Sequence, residues 1–385
     1  MKFACVHHGD QHSEQLWSAI PLNIIRALSA LGHEVVTVDG LRPQAPFFSK
    51  VKRSLYRRIL KKVYWINRDP LVLRCRAKEA NRRLRDLAGI DAVLITFPAD
   101  LAYLETDHPV LVVHDATWVQ LLDYYPRFMR NETAAETIRD GMELDKRALQ
   151  RCDHVVYSSQ WAADSAVRDY GVPPDKVSVA PLGASIVNEP TRDDLARYLS
   201  LRGQEPMKLL FVGKEWHRKG GDFAMEVGSE IEAMGIPVEL HVVGCNPDEE
   251  LARFVRQHGL LRKDVPREAE ELRALYESCD YFILPTRAEA FGIVFAEAAA
   301  FGLPVMAMET GGVKDAVRGE WGITLPPESS PTAYAQWAVE RYRNRVEYER
   351  LSWLARRSFE EELNWAAFCR HLAQKAAECA RLRRL

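Results

Sequence analysis

Two glutamates with seven residues between them stand in an otherwise apolar run. In "TRAEAFGIVFAEAAAFGLP", Thr286 to Pro304, the two carboxylates are Glu289 and Glu297. From Gly292 to Phe301 the stretch has the length and alanine content of a helix, with Gly302 and Pro304 as its stop. A helix that is apolar on every side is a buried helix, and Glu297 is the only charge on this one. A buried carboxylate without partners is costly. Glu297 therefore requires specific hydrogen-bond donors, from protein groups or from a ligand.

Other residues stand where chemistry would be. "LLFVGKEWHRKGGDFAMEVG" leaves a strand at Gly213 and enters a helix near Gly221. Lys214 and Lys219 flank a loop aimed at a helix start, where backbone N–H groups and the helix dipole favour phosphate or diphosphate. Neither the Walker spacing nor the G-x-G-x-x-G fingerprint is present, so a plain solvent-exposed turn also accounts for this stretch alone. Gly311 and Gly312 make a second glycine-rich turn before a helix, open to close ligand approach or simply a tight connection. In "VLVVHDATW", His114 and Asp115 end an apolar strand, where a satisfied structural histidine is the alternative to a site residue. His7, His8 and His12 lie in the first strand-to-helix connection. A His-x4-His loop without a firm carboxylate partner is a weak zinc site.

These residues need strands and helices to hold them. The chain alternates β-rich and helical runs, which signals parallel α/β sheets. Strands are expected at "KFACVHH", "HEVVTVDG", "DAVLITF", "PVLVVHD", "DHVVYSS" and "KVSVAPLG", with helices over 15–31, 74–88, 131–151 and 160–170. Residues 188–206 read as a polar linker. The pattern restarts with "KLLFVG", "VELHVVG", "YFILP", "LPVMAM" and "GITLP". The expectation is two doubly wound, Rossmann-like domains, 1–187 and 207–345, followed by helices over 346–385 that return toward the first domain. Ligands of such sheets bind beyond the carboxyl ends of the strands, and a cleft between two such domains is the expected site.

Composition narrows the class. The 385 residues are 47% hydrophobic and 28% charged with a net charge of −2, so no global bias argues for nucleic acid. Seven scattered cysteines, an odd number without a close pair, read as reduced thiols. The opening "MKFACVHHGD" is too short and polar for a signal peptide, and no apolar run reaches the ~20 residues of a membrane span. A cytoplasmic protein is expected. One local bias stands out: Lys50 to Arg85 holds fourteen Lys or Arg against Asp69 and Glu79. It is either a pair of solvated helices or a surface for anionic lipid at the inner membrane face, or for an acidic substrate.

Taken in order, "FVGKEWHRKGG", "PTRAEAFG", "EAFGIVFAE", "FGLPV" and "TGGVKDAV" resemble glycosyltransferase family 4, the retaining nucleotide-sugar transferases of GT-B fold. The resemblance covers essentially the whole chain and is strongest from about Leu209 to Pro326. It implies a fold of two doubly wound domains facing across a cleft, and transfer of a hexosyl unit from a UDP- or GDP-sugar to a carbohydrate, lipid or small-molecule acceptor.

In such a site Glu297 binds the ribose hydroxyls and Glu289 addresses the transferred sugar. Gly213, Phe291, Gly292, Ile293, Gly311 and Gly312 line the donor through backbone, and Lys214 and Lys219 hold the diphosphate. His114 contacts the donor sugar. The loop of Gly9, Asp10, Trp17 and Ser18 faces the acceptor. The resemblance implies no metal and no cofactor beyond the donor. Ala19 stands where close relatives commonly have glycine, and "KDAV" replaces a more usual Pro-Glu. Two other readings remain open on the same frame: a nucleotide-sugar epimerase or hydrolase, and a catalytically silent sugar-nucleotide-binding partner.

Overall fold

The computed structural model describes residues 1–41, 46–247 and 250–383. The chain divides into two compact units, Met1–Ala180 together with Trp365–Leu385, and Pro181–Asn364. The first unit carries strands β1 (Lys2–Val6), β2 (Glu34–Val38), β3 (Ala92–Ile95), β4 (Val110–His114), β5 (His154–Tyr157) and β6 (Val177–Val179). They form one parallel sheet in the order β2-β1-β3-β4-β5-β6. β3 and β5 are buried at every position, which is why they read as continuous apolar runs rather than alternating ones. Its helices are α1 (Ile20–Ala30), α2 (Phe47–Leu55), α3 (Pro70–Arg85), α4 (Trp118–Leu121), α5 (Ala135–Arg151) and α6 (Gln160–Tyr170).

The second unit begins with α7 (Asp194–Leu201), β7 (Met207–Val212), α8 (Trp216–Lys219), α9 (Gly221–Ala233), β8 (Val238–Val243) and β9 (Val255–Gly259). It continues through α10 (Pro266–Ser278), β10 (Tyr281–Leu284), α11 (Ile293–Ala300), β11 (Val305–Met308), α12 (Val313–Ala316) and β12 (Gly322–Leu325). Helices α13 (Pro331–Arg343) and α14 (Arg345–Glu361) complete it. Its sheet is again parallel, in the order β12-β11-β10-β7-β8-β9. The last helix, α15 (Trp365–Leu382), returns to the first unit and packs on α1, where the Cys369 thiol lies 3.7 Å from the Ile24 carbonyl.

Residues 188–206 are not a bare linker. They include α7, which buries Leu195, Tyr198 and Leu199, and then Arg202, which is itself buried. The Arg202 guanidinium donates to the carbonyls of Gly302 at 3.0 Å and Phe301 at 2.9 Å, and to those of Tyr276 and Glu277. Arg356 of α14 adds a 2.7 Å bond to the Ala300 carbonyl. Two buried cations thus satisfy the orphan carbonyls at the end of α11, where the helix dipole favours positive charge. Gly302, at φ +60°, fits this junction because a side chain there would meet Leu195 at 2.6 Å and the Ser352 carbonyl at 2.9 Å. Helix α14 therefore belongs with the second unit, and α15 alone of the 346–385 segment belongs with the first.

Candidate active site

Three separated stretches of the second unit come together around Glu289. The chain leaves β7 at Gly213, passes the exposed Lys214, and turns through the four-residue α8 into α9 at Gly220. Lys219, at the end of α8, forms an ion pair with Glu289, and both side chains are nearly buried. The loop carrying Glu289 is held from two sides. Arg218 donates to the Ala288 carbonyl at 2.7 Å, and the Arg287 N–H donates to the Arg218 carbonyl at 2.8 Å. The Gly312 N–H donates to the Glu289 carbonyl at 3.2 Å, which docks the Gly311–Gly312 turn beside the same residue. The lysine loop, the glutamate loop and the glycine turn therefore meet at the carboxyl ends of β7, β10 and β11.

Helix α11 starts from Gly292 as its N-cap and buries six of its eight residues, Glu297 among them at 0% exposure. Phe291 is buried and Ile293 is half-buried at this start. The donors that Glu297 requires are supplied by the protein. Lys263 pairs with one carboxylate oxygen, and the Tyr276 hydroxyl donates to the other at 3.0 Å. Burial, followed by the Glu297 charge, pushes the Tyr276 phenol well above its ordinary range, so it remains a proton donor. Lys263 is pinned further by a 2.7 Å bond to the Ser185 carbonyl. A carboxylate offers about four lone-pair sites. Two of them are engaged here by Lys263 and Tyr276. The sequence marks neither Lys263 nor Tyr276 as a partner of Glu297; 34 and 21 residues away, they share no local motif with it.

The first unit gathers a second set of polar residues at the ends of β1 and β4. His114, half-buried, has its ring stacked on Trp17 at a centroid distance of 4.9 Å. The Trp17 indole N–H donates to Asp115 at 2.9 Å, and His114 Nδ1 lies 3.3 Å from the same carboxylate. Burial raises the Asp115 pKa, but the His114 contact, the Trp17 indole N–H and a backbone N–H together outweigh it and the net direction is down. Residues Trp17, Ser18 and Ala19 all adopt left-handed φ values, 46°, 55° and 63°. Each costs a non-glycine residue about 1–2 kcal/mol, and such strain clusters at ligand-binding turns. The expected helix over 15–31 accordingly starts only at Ile20.

Beside this turn, His7 is buried, and burial followed by the neighbouring His8 lowers its pKa to about 4. A neutral His7 accepts the Gly9 N–H at 2.8 Å, while Asp10 is exposed and accepts the His12 N–H at 2.9 Å. His8 contacts Asp100 at 2.9 Å, and Arg76 lies 3.6 Å from that carboxylate. Asp100 and Arg76 are both buried and were not singled out from the sequence, since no spacing ties them to β1. Among the described residues no group of three or more His, Cys, Asp or Glu is placed to hold a metal ion.

Comparison with known proteins bears on the family and the fold. The family model described as Glycosyltransferase Family 4 matches residues 21–186, and that described as Glycosyl transferases group 1 matches residues 206–344. Among curated relatives, D-inositol 3-phosphate glycosyltransferase 1 of Catenulispora acidiphila is 26% identical over 207 residues, 50% of this chain and 49% of that protein. The D-inositol 3-phosphate glycosyltransferase of Paenarthrobacter aurescens is 30% identical over 195 residues, 48% of this chain and 47% of that protein. The chain spans about half the length of these relatives.

Among solved structures, a glycosyltransferase from Rickettsia africae superposes with a TM-score of 0.66 at 14% identity, covering 98% of each chain. Anabaena Alr3699/HepE, in complex with UDP and glucose, gives 0.62 at 15% identity, covering 98% of this chain and 99% of that one. At such identities the likeness speaks to the fold, which is the GT-B fold of two parallel sheets with flanking helices.

Proposed function

Because the chain belongs to the family 4, group 1 glycosyltransferases, we propose that it transfers a hexosyl unit with retention, from a UDP- or GDP-sugar to a carbohydrate, lipid or small-molecule acceptor. The observation that carries this reading is the meeting of Lys219, Glu289 and the Gly311–Gly312 turn at one sheet edge. A cation and a carboxylate held together there suit a substrate whose diphosphate and sugar hydroxyls lie side by side. UDP is the favoured nucleotide, since Alr3699/HepE binds UDP and glucose.

In the proposed reaction the bond from the anomeric carbon to the diphosphate oxygen breaks, and negative charge builds on the leaving group. Lys219 and Lys214 stabilise that charge, and electrostatic stabilisation of this kind is commonly the largest catalytic contribution. The acceptor oxygen bonds to the anomeric carbon on the face the phosphate leaves. Its proton passes to the departing phosphate, so no protein base is required. Glu289 orients the sugar, with His114 as a further sugar contact, and Glu297 accepts hydrogen bonds from the ribose. The loop of Gly9, Asp10, Trp17 and Ser18 recognises the acceptor. The reaction proceeds without a metal, so EDTA leaves turnover unchanged.

The test is thermal shift against UDP, GDP, ADP and their common sugars in EDTA, because a ligand that binds the folded state raises its stability. One nucleotide family raises Tm in the wild type. In Glu297→Gln, where the carboxylate loses its charge but keeps its shape, that rise shrinks by more than half. Equal shifts in both proteins would remove Glu297 from the donor site.

Helix α2 supports a peripheral contact with anionic membrane. Its inward face is polar: Ser49 is buried, and Lys52 and Tyr56 reach Glu136 of α5. Its outward face carries Phe47 and Phe48, 74% and 71% exposed, together with Val51 and Leu55. Lys50, Arg53, Arg57 and Arg58 surround this apolar surface, the pattern of a helix that lies in a lipid interface. Among the described residues no helix is long and apolar enough to cross a membrane. Co-sedimentation with phosphatidylglycerol vesicles is expected to weaken about tenfold in Phe47→Ser/Phe48→Ser and to fall with added salt. Binding indifferent to lipid charge and salt would rule the contact out.

A further inference from the structure

The helix layer of the first unit contains a pocket that the proposed transfer does not use. It lies between α3 and α5, has a volume of about 400 Å³, and is lined by five cations, Arg74, Lys78, Arg85, Arg147 and Arg151, against the single carboxylate Glu105. Among the described residues none of the five is ion-paired. The nearby acids are engaged elsewhere: Glu79 and Asp86 with Arg82, and Asp145 with Arg68. Arg85 and Arg151 end the helices that lead into β3 and β5. The pocket therefore lies toward the amino ends of the strands, away from the His114 and Trp17 turn.

The cations are placed rather than merely abundant. Arg74 and Arg147 both lie over the Tyr103 ring, 4.3 and 4.8 Å from its centroid, a cation–π arrangement that fixes two guanidinium planes. Arg147 Nε donates to the Ala102 carbonyl and Arg151 Nη2 to that of Leu104, each at 2.5 Å. Each bond uses one of the five N–H donors of its fork. Asn81 ties the wall down by accepting the Glu105 N–H at 2.9 Å. Like charges held around one concavity repel, and an anion with several acceptor oxygens relieves that repulsion while using the fork geometry.

We propose that this pocket binds a dianionic phosphate ester. The ester is carried either by a soluble small molecule or by a lipid headgroup. The inference does not rest on the transfer reaction.

The test uses the full chain at low ionic strength. Calorimetric titration with glycerol 3-phosphate measures the soluble source, and co-sedimentation with phosphatidylcholine vesicles, with and without phosphatidic acid, measures the lipid source. Lys78→Gln/Arg85→Gln removes two exposed pocket charges and keeps helix propensity. Lys146→Gln/Lys176→Gln removes two charges of the same unit outside the pocket. Binding of glycerol 3-phosphate that weakens tenfold or more in the pocket variant alone supports a soluble ester. The same loss seen only with phosphatidic acid vesicles supports a headgroup. Absence of binding to both probes, or equal behaviour of the two variants, overturns the proposal.

Discussion

Replacing Lys219 by alanine is expected to cut turnover by about 100- to 1,000-fold, the loss typical when one preorganised electrostatic donor is removed from an active site. The structure gives two reasons for so large an effect. Lys219 is the nearly buried cation at the meeting point of the three loops, and it is the ion-pair partner of Glu289. Without it, a carboxylate only 9% exposed loses this counter-ion, so in the proposed reaction both the leaving-group charge and the sugar contact are disturbed. The two residues act as one unit, and their effects should not add. Lys219→Ala/Glu289→Ala is expected to be little worse than Lys219→Ala alone, while Glu289→Ala slows transfer and leaves nucleotide affinity nearly unchanged. Single-turnover release of nucleoside diphosphate at saturating donor is the measurement. A Lys219→Ala rate within threefold of wild type would show that the cation serves packing only.

The second large effect concerns stability. Gly220 connects α8 to α9 at φ +77°, and a Cβ there would lie 2.1 Å from the Pro285 carbonyl oxygen and 2.8 Å from its carbon. Backbone atoms at such distances cannot rotate away. Gly220→Ala is expected to destabilise the protein by about 2–5 kcal/mol, from about 1–2 for the left-handed conformation and about 1–3 for overpacking. For a domain of this size each kcal/mol moves Tm by about 2–4 °C, so a fall of roughly 10 °C is the expected reading. Pro285 leads directly into the Glu289 loop, and turnover should fall with it. A Tm within 2 °C of wild type would mean that the α8–α9 turn relaxes at little cost.

The two cases show what could be read before the structure was in hand. Strands with continuous apolar runs, such as those around Leu94 and Phe282, declared themselves because a doubly covered parallel strand has no polar alternation. β9, Val255–Gly259, did not, since Arg256 and Gln257 of this edge strand are exposed. α7 was hidden by the polar residues around it, and only its packing against Phe301 and Gly302 explains its buried side chains.

In the site, the order of motifs brought Lys219, Glu289 and Gly312 to one place. It could not show which groups satisfy Glu297, because Lys263 and Tyr276 reach it through tertiary contacts. The left-handed run at Trp17–Ala19 was equally hidden, because no glycine marks it. Physical need was legible: a buried carboxylate requires donors. Their identity was not.

The return of α15 to α1 has a consequence for biosynthesis. The first unit is discontinuous in sequence, while the second is one unbroken segment, Pro181–Asn364. A ribosome adding about 5–20 residues per second spends roughly 10–40 s on that segment before the helix that covers α1 emerges. Throughout that interval the apolar face of α1 that receives α15 waits without its partner. The order of completion is therefore the reverse of the usual expectation that an amino-terminal domain finishes first. The half made second can close as soon as it is complete, and the half begun first must be kept from aggregation until then.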